Sequence, residues 1–181
     1  NRNFWLEGSV SKLNKDQVFW IARDITERKK SEEEISKFKM GIERAGDAVF
    51  MTDTTGKIIY VNPAFTTIYG FTPEEAIGNT PRIIKSGQLD DNAYKYFWGT
   101  LLSKNTMSGE IVNRAKDGRL VYIAGTNSPI LDKDGNILGF LAVHHDVSEA
   151  KKVQDALQQN EEALRRQNEY LATAAEVSRL I

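Results

Sequence analysis

The side chains with the clearest chemical potential in this sequence are two adjacent histidines, His144 and His145. They follow a run of apolar residues that predicts a β-strand, and consecutive side chains on a strand point to opposite faces of the sheet. One metal ion needs ligands that converge on it, so this pair does not predict a metal site. We expect His145 at a solvated position. We expect His144 at a semi-buried one, where it is either simply hydrogen-bonded near the strand end or biases the following helix through its charge near neutral pH.

The residues for several other kinds of reaction are absent. The sequence contains no cysteine, which excludes thiolate nucleophiles, thiolate metal ligands and cysteinyl adducts from these 181 residues. It has no glycine-rich phosphate loop and no nucleophile elbow. The phosphoacceptor histidine of a sensor kinase belongs on a helix, where this sequence places no histidine. We therefore expect a non-catalytic fragment, with any enzymatic activity in another part of a parent chain.

Charge and hydropathy exclude two kinds of partner. With 24 basic and 25 acidic residues, the sequence has no bulk charge with which to hold nucleic acid. No apolar run approaches the roughly 20 residues that cross a bilayer. We expect a cytoplasmic fragment without direct membrane insertion, although a parent chain could be membrane-anchored through other segments.

One sequence pattern occurs twice. Aligning Asp24 with Asp146 places Thr26 opposite Ser148, and in both copies a polar turn and an apolar strand precede Asp-x-Thr/Ser and a charged helix. An Asp or hydroxyl oxygen directly after a strand can accept the unpaired N–H groups that open a helix. We therefore predict that these four residues, with His144, form signalling junctions at which a movement of the strand passes into the helix.

The repeat divides the sequence into four parts. Residues 1–24 are predicted to be the C-terminal hairpin of an upstream domain, and residues 25–45 a helical linker. Residues 46–146 are predicted to form a complete domain, followed by a long helix over 147–181. The linker assignment depends on apolar residues spaced by three and four, as on one face of a helix: Ile35, Phe38, Ile42 and Ala45.

The pattern within residues 46–146 predicts an α+β domain with an antiparallel sheet. Two strand-like segments, "DAVFMTD" and "KIIYVN", are joined by a turn, and helix starts follow at Asn62 and Thr72, each with a proline next. A longer helix is expected over 91–104. Three further strand-like segments come after it, separated by "KDG" and "DKDG" turns.

The helix 147–181 contains neither glycine nor proline, and its apolar residues repeat every seven positions. This spacing predicts a two-stranded coiled coil. Because the apolar face of residues 35–45 needs a partner as well, we predict a parallel homodimer joined through both flanking helices. A single amphipathic helix packed on its own domain is the alternative. The two heptad rows are Ala150, Leu157, Leu164 and Leu171, and Val153, Asn160, Gln167 and Ala174.

The motifs "D-x-x-G-x-I-x-x-V-N-x-A-F", "G-F-x-P-E-E-x-I-G" and "R-x-K-D-G", followed by "HHDVSEAKK", are similar to those of PAS (Per-Arnt-Sim) sensor domains with their PAC segment. The resemblance implies a five-stranded antiparallel sheet with short helices on one face, enclosing a small-molecule cavity, between two signalling helices. It also implies an upstream PAS domain, a downstream GAF or kinase domain, and a parent of the sensor histidine kinase or diguanylate cyclase type from a bacterium or archaeon. On this resemblance, the residues expected to line or close the cavity are Phe65, Tyr69, Phe97, Trp98 and Asn113.

The resemblance leaves the ligand open. "RIIKSG" with "GEIVNRAKDG" resembles flavin-binding, redox-sensing PAS domains, and Asn113 and Arg114 match them. Met107 and Val112 stand where that group places tryptophans, and Leu89 where it places a histidine. A sensor for an unknown small molecule is therefore the main hypothesis. The alternatives are an FAD-binding redox sensor, a heme protein that ligates iron through one of the two histidines, and a ligand-free dimerising spacer.

Overall fold

The computed structural model describes residues 4–12, 15 and 18–179. Two predicted elements extend beyond the described residues. In the hairpin 1–24 these are residues 1–3, 13, 14, 16 and 17, and in the helix 147–181 they are Leu180 and Ile181. The side chain of Ala174 also lies outside the described part. Within the described residues, no helix has the length and apolar composition needed to cross a membrane.

The chain divides into two compact units, of which the first ends at Arg44 and the second begins at Ala45. The first unit is an antiparallel hairpin of β1, Leu6–Lys12, and β2, Val18–Asp24, followed by helix α1, Thr26–Glu43.

The second unit contains five strands and four helices in the described residues, with one short 3-10 helix at Pro81–Ile84. The order along the chain is β3 Ala48–Thr52, β4 Ile58–Val61, α2 Pro63–Tyr69, α3 Pro73–Ala76, α4 Asp91–Leu102, β5 Met107–Arg114, β6 Leu120–Leu131, β7 Ile137–Asp146 and α5 Ser148–Arg179.

The five strands form one sheet in the order β4-β3-β7-β6-β5, and all neighbours are antiparallel. The last strand, β7, therefore lies at the centre, between β3 and β6. The short helices precede β5 in the chain, as the sequence predicts. This architecture confirms the predicted α+β class and five-stranded antiparallel sheet.

Side-chain caps fix where the helices begin. The Asn62 side chain, fully buried, accepts hydrogen bonds from the backbone N–H groups of Phe65 at 3.1 Å and Val49 at 2.9 Å, which ties the start of α2 to strand β3. Thr72 and Glu75 form a reciprocal capping box at α3. Asp90 accepts from the N–H of the third residue after it and opens α4.

One face of the sheet, called the inner face below, carries the core. On β7 the inner residues Phe140, Ala142 and His144 are buried, whereas His145, which points the other way, is exposed. Helices α2 and α4 pack on this face, since rings of α2 contact Phe50 and the ring of Trp98 in α4 contacts Phe140.

Two local features differ from the sequence expectation. Helix α4 ends at Leu102 rather than at residue 104, and Lys104 adopts a left-handed conformation with φ of 63°, which stops the helix. The 3-10 helix Pro81–Ile84 was not predicted. It is a single short turn opened by a proline, too short to give a periodic pattern.

Candidate functional site

A buried polar cluster lies inside the otherwise apolar core, formed by Tyr69, Asn113 and His144. Tyr69 is the last residue of α2, where Gly70 ends the helix in the left-handed conformation with φ of 78°. Asn113 is an inner-face residue of edge strand β5, and His144 is an inner-face residue of the central strand β7. Three separate elements of the fold thus bring these side chains together.

The hydrogen bonds of this cluster determine the tautomer of His144. The Asn113 Nδ2 donates to the Tyr69 hydroxyl oxygen at 2.9 Å, and that oxygen lies 2.7 Å from His144 Nδ1. The amide nitrogen can only donate to the Tyr69 oxygen, and a hydroxyl proton directed at Nδ1 is the arrangement that also gives the buried Tyr69 O–H an acceptor. His144 Nδ1 therefore accepts, and the ring proton resides on Nε2.

The Nε2–H group of His144 is buried and has no hydrogen-bond partner among the described residues. The side chain is only 3% exposed, and an unsatisfied buried donor costs about 1–3 kcal/mol. The ring of Phe50 contacts the imidazole edge to face with centroids 5.0 Å apart and provides no oxygen or nitrogen acceptor. The site therefore presents one unused N–H donor in an apolar environment.

Two glycines open space beside this donor. Gly125 pairs with His144, and a Cβ built on Gly125 would lie 3.1 Å from His144 Cδ2 and 3.4 Å from Nε2, so the imidazole occupies the place of a side chain. Gly109 pairs with Gly125 on the next strand, and its Cβ position has no heavy atom within 4 Å. We call Gly109 and Gly125 the glycine strip. The His144 ring fills the place of a side chain at Gly125, so the open backbone surface of the strip lies at the exposed Gly109, one strand further along the inner face.

Burial keeps this cluster uncharged. It lowers the pKa of His144 to about 4, and it raises the pKa of the Tyr69 hydroxyl far above its usual range. Both groups are therefore neutral at physiological pH. A ligand at this place would meet a hydrogen-bond donor without a positive charge.

The five predicted cavity residues occupy two separate places. Phe65 packs between Phe50 and Tyr69, with ring centroids 5.5 and 5.0 Å away, so Phe65, Tyr69 and Asn113 belong to the His144 cluster. His144 is not among the residues that the sequence predicts at the cavity. The signal was available, because His144 is in phase with Phe140 and Ala142, the inner residues of its strand.

Phe97 and Trp98 lie at the other end of the inner face. Trp98 contacts Phe97 at 5.6 Å and Phe140 at 5.5 Å between ring centroids. Phe140 precedes His144 by four residues, which corresponds to roughly 13 Å along a strand. Opposite Phe140, the Thr52 hydroxyl oxygen is, with His144 Nε2, the other buried side-chain polar atom without a partner in the described residues. Phe97 and Trp98 therefore close the end of the face that is remote from the polar cluster.

The junction after β7 is built by hydrogen bonds between strand and helix. Asp146 Oδ1 accepts from the N–H of Ser148 at 2.9 Å, while the Ser148 hydroxyl accepts from the N–H of Tyr122 on β6 at 3.0 Å. Val147 N–H donates to the Tyr122 carbonyl at 2.8 Å. The Ser148 hydroxyl therefore bonds to strand β6 rather than capping α5. The first turn of α5 is thus hydrogen-bonded to both β6 and β7.

The upstream junction residues Asp24 and Thr26 make the same kind of bond within the first unit, since Asp24 Oδ1 accepts from the N–H of Thr26 at 2.9 Å. The exposed His145 lies with its Nδ1 2.7 Å from the Asp47 carboxylate. The described residues contain no group of three or more side chains arranged to hold a metal ion.

The sequence that forms this sheet and its short helices matches a known family. The family model described as "PAS fold" matches residues 36–147, which is more than half of the chain. The chain belongs to the PAS family.

Relatives of this PAS chain include signalling proteins. It is 32% identical over 107 residues to a nitrogen fixation regulatory protein of Klebsiella pneumoniae, covering 59% of this chain and 22% of the relative. It is 32% identical over 111 residues to hybrid signal transduction histidine kinase L of Dictyostelium discoideum, covering 61% of this chain and 6% of the relative. The chain thus spans less than a quarter of the length of either relative.

A solved structure shares the fold of the PAS domain. The crystal structure of the PAS domain of a protein from Colwellia psychrerythraea superposes with a TM-score of 0.57 at 23% identity, covering 64% of this chain and 98% of that one. A PAS domain of this kind is a sensory module of signalling proteins.

Proposed function

We propose that this PAS domain binds a small molecule on the inner face of its sheet and passes the resulting change through the junction at Asp146 and Ser148 into helix α5. The output domain would be a histidine kinase or a diguanylate cyclase in the parent chain. The observation that carries the proposal is the unpartnered, buried Nε2–H of His144 beside the glycine strip.

The chemistry of the donor indicates the class of ligand. Because Tyr69 holds Nδ1 and burial keeps the ring neutral, His144 offers a hydrogen bond to an acceptor and no charge to an anion. A carbonyl oxygen or similar uncharged acceptor on an apolar molecule fits this place, whereas an ammonium group does not. The ligand would lie over Gly109, where the inner face has room.

The route of the signal follows from the sequence of β7. His144 and the junction residue Asp146 are two positions apart on one strand, and Val147 and Ser148 bond directly to β6. A ligand that shifts β7 relative to β6 would therefore alter the hydrogen bonds at the first turn of α5. No flexible segment lies between the proposed binding site and the helix.

The proposed dimer uses the apolar row of α5. Leu157 and Leu164 are 58% and 60% exposed, and Val153 and Leu171 on the same side of the helix are exposed as well. A second copy in a parallel coiled coil would bury this row at a and d positions. The exposure supports the homodimer over the alternative of a helix packed on its own domain.

Binding can be tested with two adjacent histidines as a matched pair. We expect His144→Phe to weaken ligand binding at least about tenfold, as the loss of a buried hydrogen bond implies, and His145→Phe to leave it unchanged. The ligand is first sought by native mass spectrometry and absorbance of the freshly purified protein, followed by denaturation and mass analysis of any released compound. Circular dichroism establishes that both variants are folded.

The outcomes separate the small-molecule sensor, the FAD-binding redox sensor and the ligand-free spacer. A flavin spectrum that both variants retain would support a redox sensor that does not use His144. A folded protein that neither carries nor binds a small molecule would support the ligand-free spacer. Equal affinities of the two variants for a non-flavin ligand would contradict the site proposed here.

A further inference from the structure

The hairpin of the first unit repeats the register of the last hairpin of the PAS domain. In the first unit Asp24, the last residue of β2, pairs with Leu6. In the second unit Asp146, the last residue of β7, pairs with Ile123. Two strands that pair in the same register place equivalent side chains on the same faces. Strand β1 therefore corresponds to β6, and β2 to β7.

A glycine occupies the same position in both hairpins. Gly8 pairs with Ala22, as Gly125 pairs with His144. In each case a ring covers the glycine, since the Cβ position of Gly8 lies 3.0 Å from the indole nitrogen of Trp20. The two hairpins therefore also agree at a glycine, which played no part in aligning Asp24 with Asp146.

The junction to the helix is also repeated bond for bond. In the first unit, Trp5 N–H donates to the Thr26 hydroxyl at 2.9 Å, and Ile25 N–H donates to the Trp5 carbonyl at 2.9 Å. The bonds of Ser148 and Val147 to Tyr122 have the same donors, acceptors and lengths within 0.1 Å. Together with the bond that each aspartate accepts, three hydrogen-bonding relations are therefore shared.

The two hairpins differ in the strands that surround them. In the PAS domain β7 pairs on its other edge with β3, and β6 pairs on its other edge with β5. In the described residues β1 and β2 pair only with each other, and all their residues are exposed. The face equivalent to the inner face carries the apolar side chains of Val10, Val18 and Trp20. A hairpin with two open edges and an apolar face is marginally stable alone.

We infer that β1 and β2 are the last two strands of a second PAS domain in the parent chain. The apolar face would be covered by the preceding segment of that chain, equivalent to residues 45–121 here, which would supply one strand at each open edge and helices over the face. This inference does not depend on the ligand proposed above. A second copy of this chain is the other occupant that could pair with the open edges.

Hydrogen exchange distinguishes these occupants. We expect backbone amides of β1 and β2 to exchange rapidly in the 181-residue chain and about 100-fold more slowly or better in the full-length parent, because only there does the hairpin join a cooperative unit. Amides of β6 and β7 serve as the internal control, since they should be protected equally in both proteins.

A pair of variants tests which face is covered. In the full-length parent, Trp20→Asp should abolish the protection of β1 and β2 and leave that of β6 and β7 intact. Ser9→Asp, on the opposite face of the same hairpin, should retain most of the protection. Protection in the 181-residue chain that rises with protein concentration would instead show pairing with a second copy and overturn the inference. Equal, rapid exchange of the hairpin in both proteins would also overturn it.

Discussion

Each glycine of the glycine strip can be replaced by alanine on its own. Gly125→Ala tests the packing of His144, and Gly109→Ala tests the space proposed for a ligand. In Gly125→Ala the new Cβ would lie 3.1 Å from His144 Cδ2 and 3.4 Å from Ile123 Cγ2. The imidazole cannot retreat easily, because Tyr69 holds its Nδ1 and Phe50 packs against its face. In Gly109→Ala the new methyl group meets no heavy atom within 4 Å.

The expected magnitudes follow from these distances. Overpacking of a well-filled core typically costs about 1–3 kcal/mol, and a loss of about 2 kcal/mol lowers Tm by roughly 6–10 °C for a domain of this size. Neither glycine has a left-handed φ, so alanine adds no backbone strain at either position. For Gly109→Ala we expect unchanged stability or a gain of up to about 1 kcal/mol, because alanine restricts the unfolded chain.

The assay is thermal and urea denaturation followed by circular dichroism, together with ligand binding. Gly125→Ala should be clearly less stable than the unsubstituted 181-residue chain. Gly109→Ala should keep its stability and lose affinity, because the methyl group would occupy the space proposed for the ligand. Equal Tm values for the two variants would refute the packing of His144 over Gly125. Unchanged affinity of a stable Gly109→Ala variant would refute the placement of the ligand.

Three further predictions concern protonation, coupling and assembly. Burial lowers the pKa of His144 to about 4, whereas the unfolded chain protonates it near 6.5. Its contribution to stability is therefore fully present above about pH 6.5 and is lost as the pH falls toward 4, by up to about 3 kcal/mol. His144→Gln should show a shallower loss of Tm over this range, and parallel curves would contradict a buried neutral histidine. Asp146→Ala should cost about 1 kcal/mol as a lost N–H acceptor and leave ligand affinity intact, while output activity of the full-length parent should no longer follow the ligand; a normal response would limit Asp146 to a cap. Leu164→Glu should shift the protein toward monomer in light scattering at tens of micromolar concentration, whereas Gln159→Glu, outside both heptad rows, should not; a monomeric parent sequence would exclude the coiled-coil dimer.

The sequence was sufficient for the elements and their order because the relevant signals are local. Alternation along β7 and the "KDG" and "DKDG" turns predict strands, and the caps at Asn62 and Thr72 predict helix starts. The pairing of β7 between β3 and β6 joins residues far apart in the chain and was not predicted, because the resemblance to a known family implied the five-stranded antiparallel sheet but no strand order.

The site was predictable in its residue types but not in its connections. Tyr69 and Asn113 were expected at a cavity, yet their link to His144 depends on the register between β5, β6 and β7, which local sequence does not encode. The same register sets Gly109 beside Gly125. The family resemblance and their apolar chemistry also predict Phe97 and Trp98 at the cavity, and the structure places both at the other end of the inner face.

The Asn62 side chain has a consequence for how this domain could respond mechanically. It bonds at once to the N–H of Val49 in β3, to the N–H of Phe65 in α2 and to the carbonyl of Asp47. These bonds therefore fix the start of helix α2, which ends at Tyr69, relative to β3. Because these bonds resist a tilt of α2, we expect a displacement of His144 to move β7, the strand that carries it and leads to α5.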